Sequence, residues 1–301
     1  MTQTTPPQTD QPQTNQPFHQ SMTAPLRRVL VRRPDQAFAV EDPEAWHYAA
    51  RPDLAAAQAE HDAFTDILRK HGAEVVYHDM EQPGRADSVF VYDPALITRE
   101  GAILLNPGKA LRQGEQDALG RRLEELGVPV LGRLTGEQYA EGGDMFWLDD
   151  QTLAIGRTFR TTQAGVDALR ALLEPRGVEV QVYDMPVGDG ADACLHLMSV
   201  ISPVAPDAAV VYPRLMPVPL WQELQRRGLR LIEVPDAEFP TQGSNVLAIT
   251  PAVCLMLAGN PVTRTRLEDA GFTVESYVGN ELSLKAEGGP TCLTKPLVRR
   301  A

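Results

Sequence analysis

Cys292 sits in the run Gly288-Gly289-Pro290-Thr291-Cys292-Leu293-Thr294. A lone cysteine is ordinarily a small core hydrophobe. Here the Gly-Gly-Pro run forces an irregular approach, which can leave backbone N–H groups free beside the sulfur and would suit a nucleophile. Cys254, flanked by Val253 and Leu255, reads more simply as core, and so does Cys194. A thiol nucleophile needs a proton acceptor or a charged neighbour to hold thiolate. His196, in Ala193-Cys194-Leu195-His196-Leu197, is the one histidine of six that falls in such a polar cluster. A histidine inside an apolar strand can equally be a hydrogen-bonded structural residue. Carboxylates come from Glu141-Gly142-Gly143-Asp144 and from Asp87-Ser88-Val89-Phe90-Val91-Tyr92-Asp93. Their bland readings are an acidic turn and a strand with solvated ends. Carboxylates near a thiolate raise its pKa unless a cation sits among them. A cationic substrate would meet that condition, and a planar guanidinium pairs bidentately with carboxylates.

Residues so far apart in sequence need a scaffold that gathers them. Five helical stretches end in Gly and run straight into β-rich stretches, at Gly72, Gly127, Gly177, Gly228 and Gly271. Spacings of 43 to 55 residues fit one supersecondary unit repeated around a molecule. Each Gly precedes one polar cluster, and the fourth cluster holds Ser244 and Asn245, to which only a pocket-wall role is given. The predicted unit is strand, polar turn, hairpin and returning helix. Hairpins are expected at Val89–Thr98 with Ala102–Leu105, at Met145–Leu148 with Thr152–Ile155, and at Val246–Ile249 with Val253–Leu257. Leu195–Ile201, Ser276–Val278 and Leu282–Lys285 read as further strands. The first helix should start at Asp53, with Leu54, Ala57, His61, Phe64 and Leu68 on one apolar face. The polar segment Pro34–Pro52 is a candidate lid. Arg28–Arg32 and Cys292–Val298 are left over at the two ends and close the ring if they share a unit. The fold expected is a five-unit α/β ring with helices outside. The hairpins, and the lack of a Gly-x-Gly-x-x-Gly turn, count against an ordinary doubly wound sheet.

Composition sets the bounds. The chain has 301 residues, 43% of them hydrophobic, enough for a large core. A formal charge of -12 argues against a nucleic-acid partner. Three cysteines without a Cys-x-x-Cys pair suggest neither a disulfide framework nor a common zinc site, so a cytoplasmic setting is expected. No run of 18 apolar residues predicts a membrane helix. Residues 1–25, mostly Gln, Thr and Pro, read as a disordered tail without signal-peptide character, and 26–301 as one catalytic domain.

Six segments in order give a specific resemblance. They are Asp87-Ser88-Val89-Phe90-Val91-Tyr92-Asp93, Arg112-Gln113-Gly114-Glu115, Glu141-Gly142-Gly143-Asp144, Arg160-Thr161, Leu195-His196-Leu197-Met198-Ser199 and Gly289-Pro290-Thr291-Cys292. Together they span about residues 27–300 and resemble the guanidino-group-modifying enzymes of the five-fold α/β propeller (pentein) type. The closest likeness is to the dimethylarginine dimethylaminohydrolase family. That resemblance implies Cys292 as nucleophile, His196 as its acid/base, and Glu141 to orient His196 and hold the guanidinium. It further implies Asp93 on the guanidinium nitrogens, Asp87 on the substrate α-amino group, and Arg112 and Arg160 on the α-carboxylate. The implied reaction forms citrulline and an amine through a covalent S-alkylthiouronium, with no metal or organic cofactor. The implied partner is a small cationic guanidino substrate, with no nucleic acid or membrane, and a homodimer is allowed.

Two positions depart from the family pattern. Tyr92 stands where the family usually has Glu, and Met198 where it usually has Lys. Both leave the Cys–His–Glu set intact and bear on substrate choice. Met198 also argues against arginine deiminase, which by resemblance carries Asp there. Arginine deiminase, an amidinotransferase and a ureido hydrolase remain alternatives within the fold. A non-catalytic propeller that binds a partner is the alternative outside enzymes.

Overall fold

The computed structural model describes residues 20–191 and 193–300. Among these residues fifteen strands make five three-stranded sheets in a mixed α/β fold. The chain enters through β1 (Leu26–Val31), crosses by α1 (Leu54–Lys70) and returns as β2 (Glu74–Tyr77), parallel to β1. The second sheet pairs β3 (Ala95–Ile97) with β4 (Ala102–Leu104), then crosses by α2 (Glu115–Glu125) to β5 (Val130–Arg133). The third pairs β6 (Met145–Trp147) with β7 (Thr152–Arg157), and α3 (Gln163–Leu173) leads to β8 (Glu179–Asp184). The fourth uses β9 (Ile201–Ala205), β10 (Ala208–Val211), α4 (Val218–Arg226) and β11 (Arg230–Glu233). The fifth uses β12 (Val246–Thr250), β13 (Val253–Leu257), α5 (Pro261–Asp269) and β14 (Thr273–Tyr277). The last strand, β15 (Lys295–Arg299), returns to pair antiparallel with β1 and completes the first sheet. Every sheet is thus an antiparallel pair, a helical crossover and a parallel third strand. β3, β6, β9, β12 and β15, one strand from each sheet, contribute residues to the wall of one cavity.

The five helix-ending glycines all have positive φ, between 73° and 95°. Nothing lies within 4 Å of where a Cβ would stand on any of them, so conformation rather than room calls for Gly. At the other end of α1, Asp53 accepts the Ala56 N–H at 2.8 Å as an N-cap. Ala57, His61, Phe64 and Leu68 turn inward together, while Leu54, expected on the same face, is only half-buried.

Several expected strands are something else. Leu282–Leu284 lies in a π-helical turn, Asn280–Leu284, and Lys285 caps it. The Glu60 carboxylate on α1 accepts the consecutive N–H groups of Asn280, Glu281 and Leu282 at 2.8–2.9 Å, and so pulls this backbone out of an extended shape. Most of Val89–Thr98 is not strand: Ala86–Val89 is a 3-10 turn and only Ala95–Ile97 pairs. Leu197–Ser199 is likewise a 3-10 turn, so His196 is not inside a strand. Its N–H donates to Ser199 Oγ at 3.1 Å, and the next N–H donates to Asp144 Oδ1 at 3.0 Å. Ser276–Val278 contains only the end of β14. Residues 20–25, expected to belong to a disordered tail, are ordered against the domain. Gln20 is buried, accepting from Arg99 N–H at 2.9 Å and donating to the Asp150 carbonyl at 3.1 Å. Residues 1–19 lie outside the described residues.

Candidate active site

Cys292 is half-buried just ahead of β15, in a pocket it shares with Asp87, Asp93, Glu141 and His196. The glycines before it are there for close approach. A Cβ on Gly288 would stand 2.1 Å from Phe90 Cε1, and one on Gly289 would stand 2.4 Å from Asn245 Cγ. Asn245 uses that closeness, donating from Nδ2 to Cys292 Sγ at 3.3 Å and accepting the Thr291 N–H at 3.1 Å. The thiol is nonetheless pushed up to about 11, first by burial and then by Asp93; Asn245 and His196 oppose the shift. It is therefore protonated at neutral pH in the free protein.

Glu141 is fully buried, and each of its oxygens is used. Oε2 lies 2.8 Å from His196 Nε2. Oε1 accepts from Gly108 N–H at 2.9 Å, from Lys109 N–H at 3.2 Å and from Arg160 Nη1 at 3.4 Å. Burial pushes the carboxyl up, but the His196 hydrogen bond, its charge and two arginines outweigh this and hold it well below the usual range. Burial pulls His196 down; Cys194, Asp144 and Glu141 outweigh it and leave the imidazole well above its ordinary value. The two form a buried imidazolium–carboxylate pair. Gly143 makes room for the ring: a Cβ there would be 2.3 Å from His196 Nδ1. Asp144 supports both partners. It accepts from Thr158 and Thr161 hydroxyls at 2.7 and 2.6 Å and from Leu197 N–H, while Thr161 Oγ1 accepts the Glu141 N–H at 3.2 Å.

The remaining predicted residues are gathered here too, in a closed network. Asp93 accepts from Gly143 N–H at 2.8 Å and from Arg112 Nη1 at 2.5 Å. Arg112 also donates from Nε and Nη2 to Glu115 and from Nη2 to the Phe90 carbonyl, so its guanidinium is enclosed. Asp87 accepts from Tyr48 Oη at 2.9 Å and from Lys109 Nζ at 2.6 Å. Lys109 lies over the Trp46 ring, 5.0 Å from its centroid, and donates to the Trp46 carbonyl at 2.8 Å. Trp46 and Tyr48 place the Pro34–Pro52 segment against the pocket.

Sequence reading missed Lys109, took Cys194 for core and gave Asn245 only a pocket-wall role. Only Asn245 carried a signal, as the polar residue of the fourth cluster. Cys194 corrects the expectation of a core thiol. It is exposed, 3.5 Å from His196 Nε2, while the neighbouring Leu195 is the side chain that packs against the core. Cys254 is fully buried, with its thiol pushed up to about 12 by burial. Ligand atoms of Glu141, Cys194 and His196 lie within 4.8 Å of one another, a spacing that could hold a metal ion. Tyr92 and Met198, the two departures, are half-buried and buried.

A model of the family "N,N dimethylarginine dimethylhydrolase, eukaryotic" matches residues 45–292, which include every residue of this site. The chain belongs to the dimethylarginine dimethylaminohydrolase family. The N(G),N(G)-dimethylarginine dimethylaminohydrolase of Streptomyces coelicolor is 30% identical over 277 residues, 90% of this chain and 96% of that one. Its Pseudomonas aeruginosa counterpart is 25% identical over 269 residues, 89% of this chain and 98% of that one. The solved structure of a Pseudomonas aeruginosa dimethylarginine dimethylaminohydrolase complexed with citrulline has the same fold, with a TM-score of 0.75 at 23% identity. It covers 91% of this chain and 99% of that one.

Proposed function

We propose that this protein hydrolyses the guanidinium group of arginine or an N-ω-methylated arginine to citrulline and an amine, most simply as a dimethylarginine dimethylaminohydrolase. The observation that carries this reading is the Cys292 thiol, held by Asn245 in one pocket with the Glu141–His196 pair and the carboxylates of Asp87 and Asp93. Such a pocket is built for a cation that makes its own nucleophile. A bound guanidinium lowers the thiol's pKa, and the proton leaves to solvent. The thiolate attacks the guanidinium carbon, which Glu141 and Asp93 hold planar. His196 gives its proton to the departing amine as the C–N bond breaks, leaving the S-alkylthiouronium. Water then adds to the same carbon, giving its proton to His196, and the C–S bond breaks to release the ureido product and the thiolate.

Substrate entry would rearrange the closed network. Lys109 would leave Asp87 to the substrate α-amino group. Arg112 would exchange Asp93 for the substrate α-carboxylate, which Arg160 shares. The Pro34–Pro52 segment, bearing Trp46 and Tyr48, would close over the ligand.

The same proposal includes the architecture. The five like sheets are read as blades of a five-fold pseudosymmetric α/β propeller, helices outside and active site at the centre, in one domain over 26–301. Support comes from the shared cavity wall and from the β1–β15 pairing. Among the described residues no helix is long and apolar enough to cross a membrane, which is compatible with the cytoplasmic setting proposed.

The test is to incubate the protein with methylated arginines, arginine and citrulline and to assay citrulline, dimethylamine and ammonia. Cys292→Ser should lower turnover by at least about 10³-fold with an unchanged melting curve. Normal turnover in that variant, or a trapped adduct on Cys254, would overturn the scheme.

A further inference from the structure

A second cavity lies directly behind the catalytic pocket. Tyr92, Gly142 and Thr291 line it, and each is the chain neighbour of a pocket residue: Asp93, Glu141 and Cys292 respectively. Its volume is about 50 Å³. One water needs about 10–15 Å³ on that measure, so the space suits a few waters or one small ion. Lys295 and Arg299, both on β15 and both 3% exposed, line the same cavity. Neither forms an ion pair among the described residues, and burial lowers Lys295 to about 7 and Arg299 to about 10. Lys295 Nζ donates to the carbonyls of Tyr92 and Ala95 and lies 4.4 Å from the Tyr92 ring centroid, so one of its three N–H groups has no partner. Arg299 gives one hydrogen bond, from Nη1 to the Ala24 carbonyl at 2.8 Å, out of five N–H donors.

A buried unpaired charge is among the most expensive features a fold can carry. Chains normally satisfy one by pairing or hydrogen bonding. The acid that acts on Lys295 is Asp93, and its oxygens are already taken by Gly143 N–H and Arg112. The only side chain that raises Arg299 against burial is the Tyr92 phenol. What the cavity lacks is a negative charge that accepts several hydrogen bonds.

We propose that this cavity binds one small monovalent inorganic anion, of the size of chloride or bicarbonate, held by Lys295 and Arg299. The anion would neutralise the floor beneath Asp93, Glu141 and Cys292 and fix the three turns that carry them. It is independent of the reaction assigned to the pocket in front.

The test uses the full chain and two probes, chloride and bromide. Replacing potassium gluconate with potassium chloride at constant ionic strength should raise Tm by about 2–4 °C. Lys295→Met should remove that chloride-specific rise. Should Lys295→Met fail to fold, bromide-soaked crystals of the unsubstituted protein decide the matter. An anomalous peak within hydrogen-bonding distance of Lys295 or Arg299 supports the site. Absence of that peak, or a chloride-specific rise that persists in Lys295→Met, overturns it.

Discussion

At the scale of single residues, the free site is charged in the wrong place for the attack proposed, and a cationic ligand would correct it. His196 and Glu141 are ionised together, while Cys292 keeps its proton. Asn245 is the only neutral side chain that donates to the sulfur among the described residues. Its amide favours thiolate over thiol, so Asn245→Ala should push the Cys292 pKa above its present value of about 11. A hydrogen bond of this kind contributes about 0.5–1.5 kcal/mol, so kcat/KM at neutral pH should fall about 3–10-fold. Turnover and pH-dependent alkylation of Cys292 together check this, and an unchanged alkylation profile would count against it. Cys292, His196, Glu141, Asp93 and Asp87 were legible as polar clusters because they interrupt apolar patterns. Lys109 was not, since a lysine in a loop looks the same whether it faces solvent or a buried Asp87.

At the scale of elements, α1 shows what periodicity conveys and what it hides. The spacing of Ala57, His61, Phe64 and Leu68 gave the buried face correctly. It did not say that His61 would be fully buried with neither ring nitrogen hydrogen-bonded. The ring lies between Phe64 and Tyr77, at centroid distances of 6.2 and 6.3 Å. Burial lowers its pKa from 6.5 to about 4. Between those values the unfolded chain binds a proton that the native chain does not. His61 therefore adds nothing unfavourable above pH 6.5, and stability drains away as pH falls from there towards 4, by about 3 kcal/mol in all. His61→Leu should remove this component, so its urea midpoint should fall less than the parent's between pH 7 and pH 4.5. Equal falls would refute it. The π-helical turn at Asn280–Leu284 was beyond reach for a related reason: Glu60, the group that shapes it, is 220 residues away.

At the scale of the whole molecule, the repeat was readable because each helix must stop, and a left-handed Gly is the cheapest way to stop it. All five such positions were found from sequence. The phase of the repeat was not. Each sheet takes its third strand from beyond the helix, so a Gly junction lies inside a unit and not at its border. The same offset explains β15, which supplies the first sheet from the far end of the chain. Deleting residues 295–301 should remove Leu297 from the core together with the β1–β15 hydrogen bonds, a loss on the order of 5 kcal/mol. We expect a truncated chain without a cooperative thermal transition by circular dichroism; a normal transition would show that β1 needs no such partner. The pairing has a further consequence for ancestry and design. Open arrays of repeats lengthen by duplicating a unit at either end, because a free interface waits there. Here the last strand is hydrogen-bonded to the first, so a further copy added at either end of the chain would have to displace that pairing before it could join the first sheet.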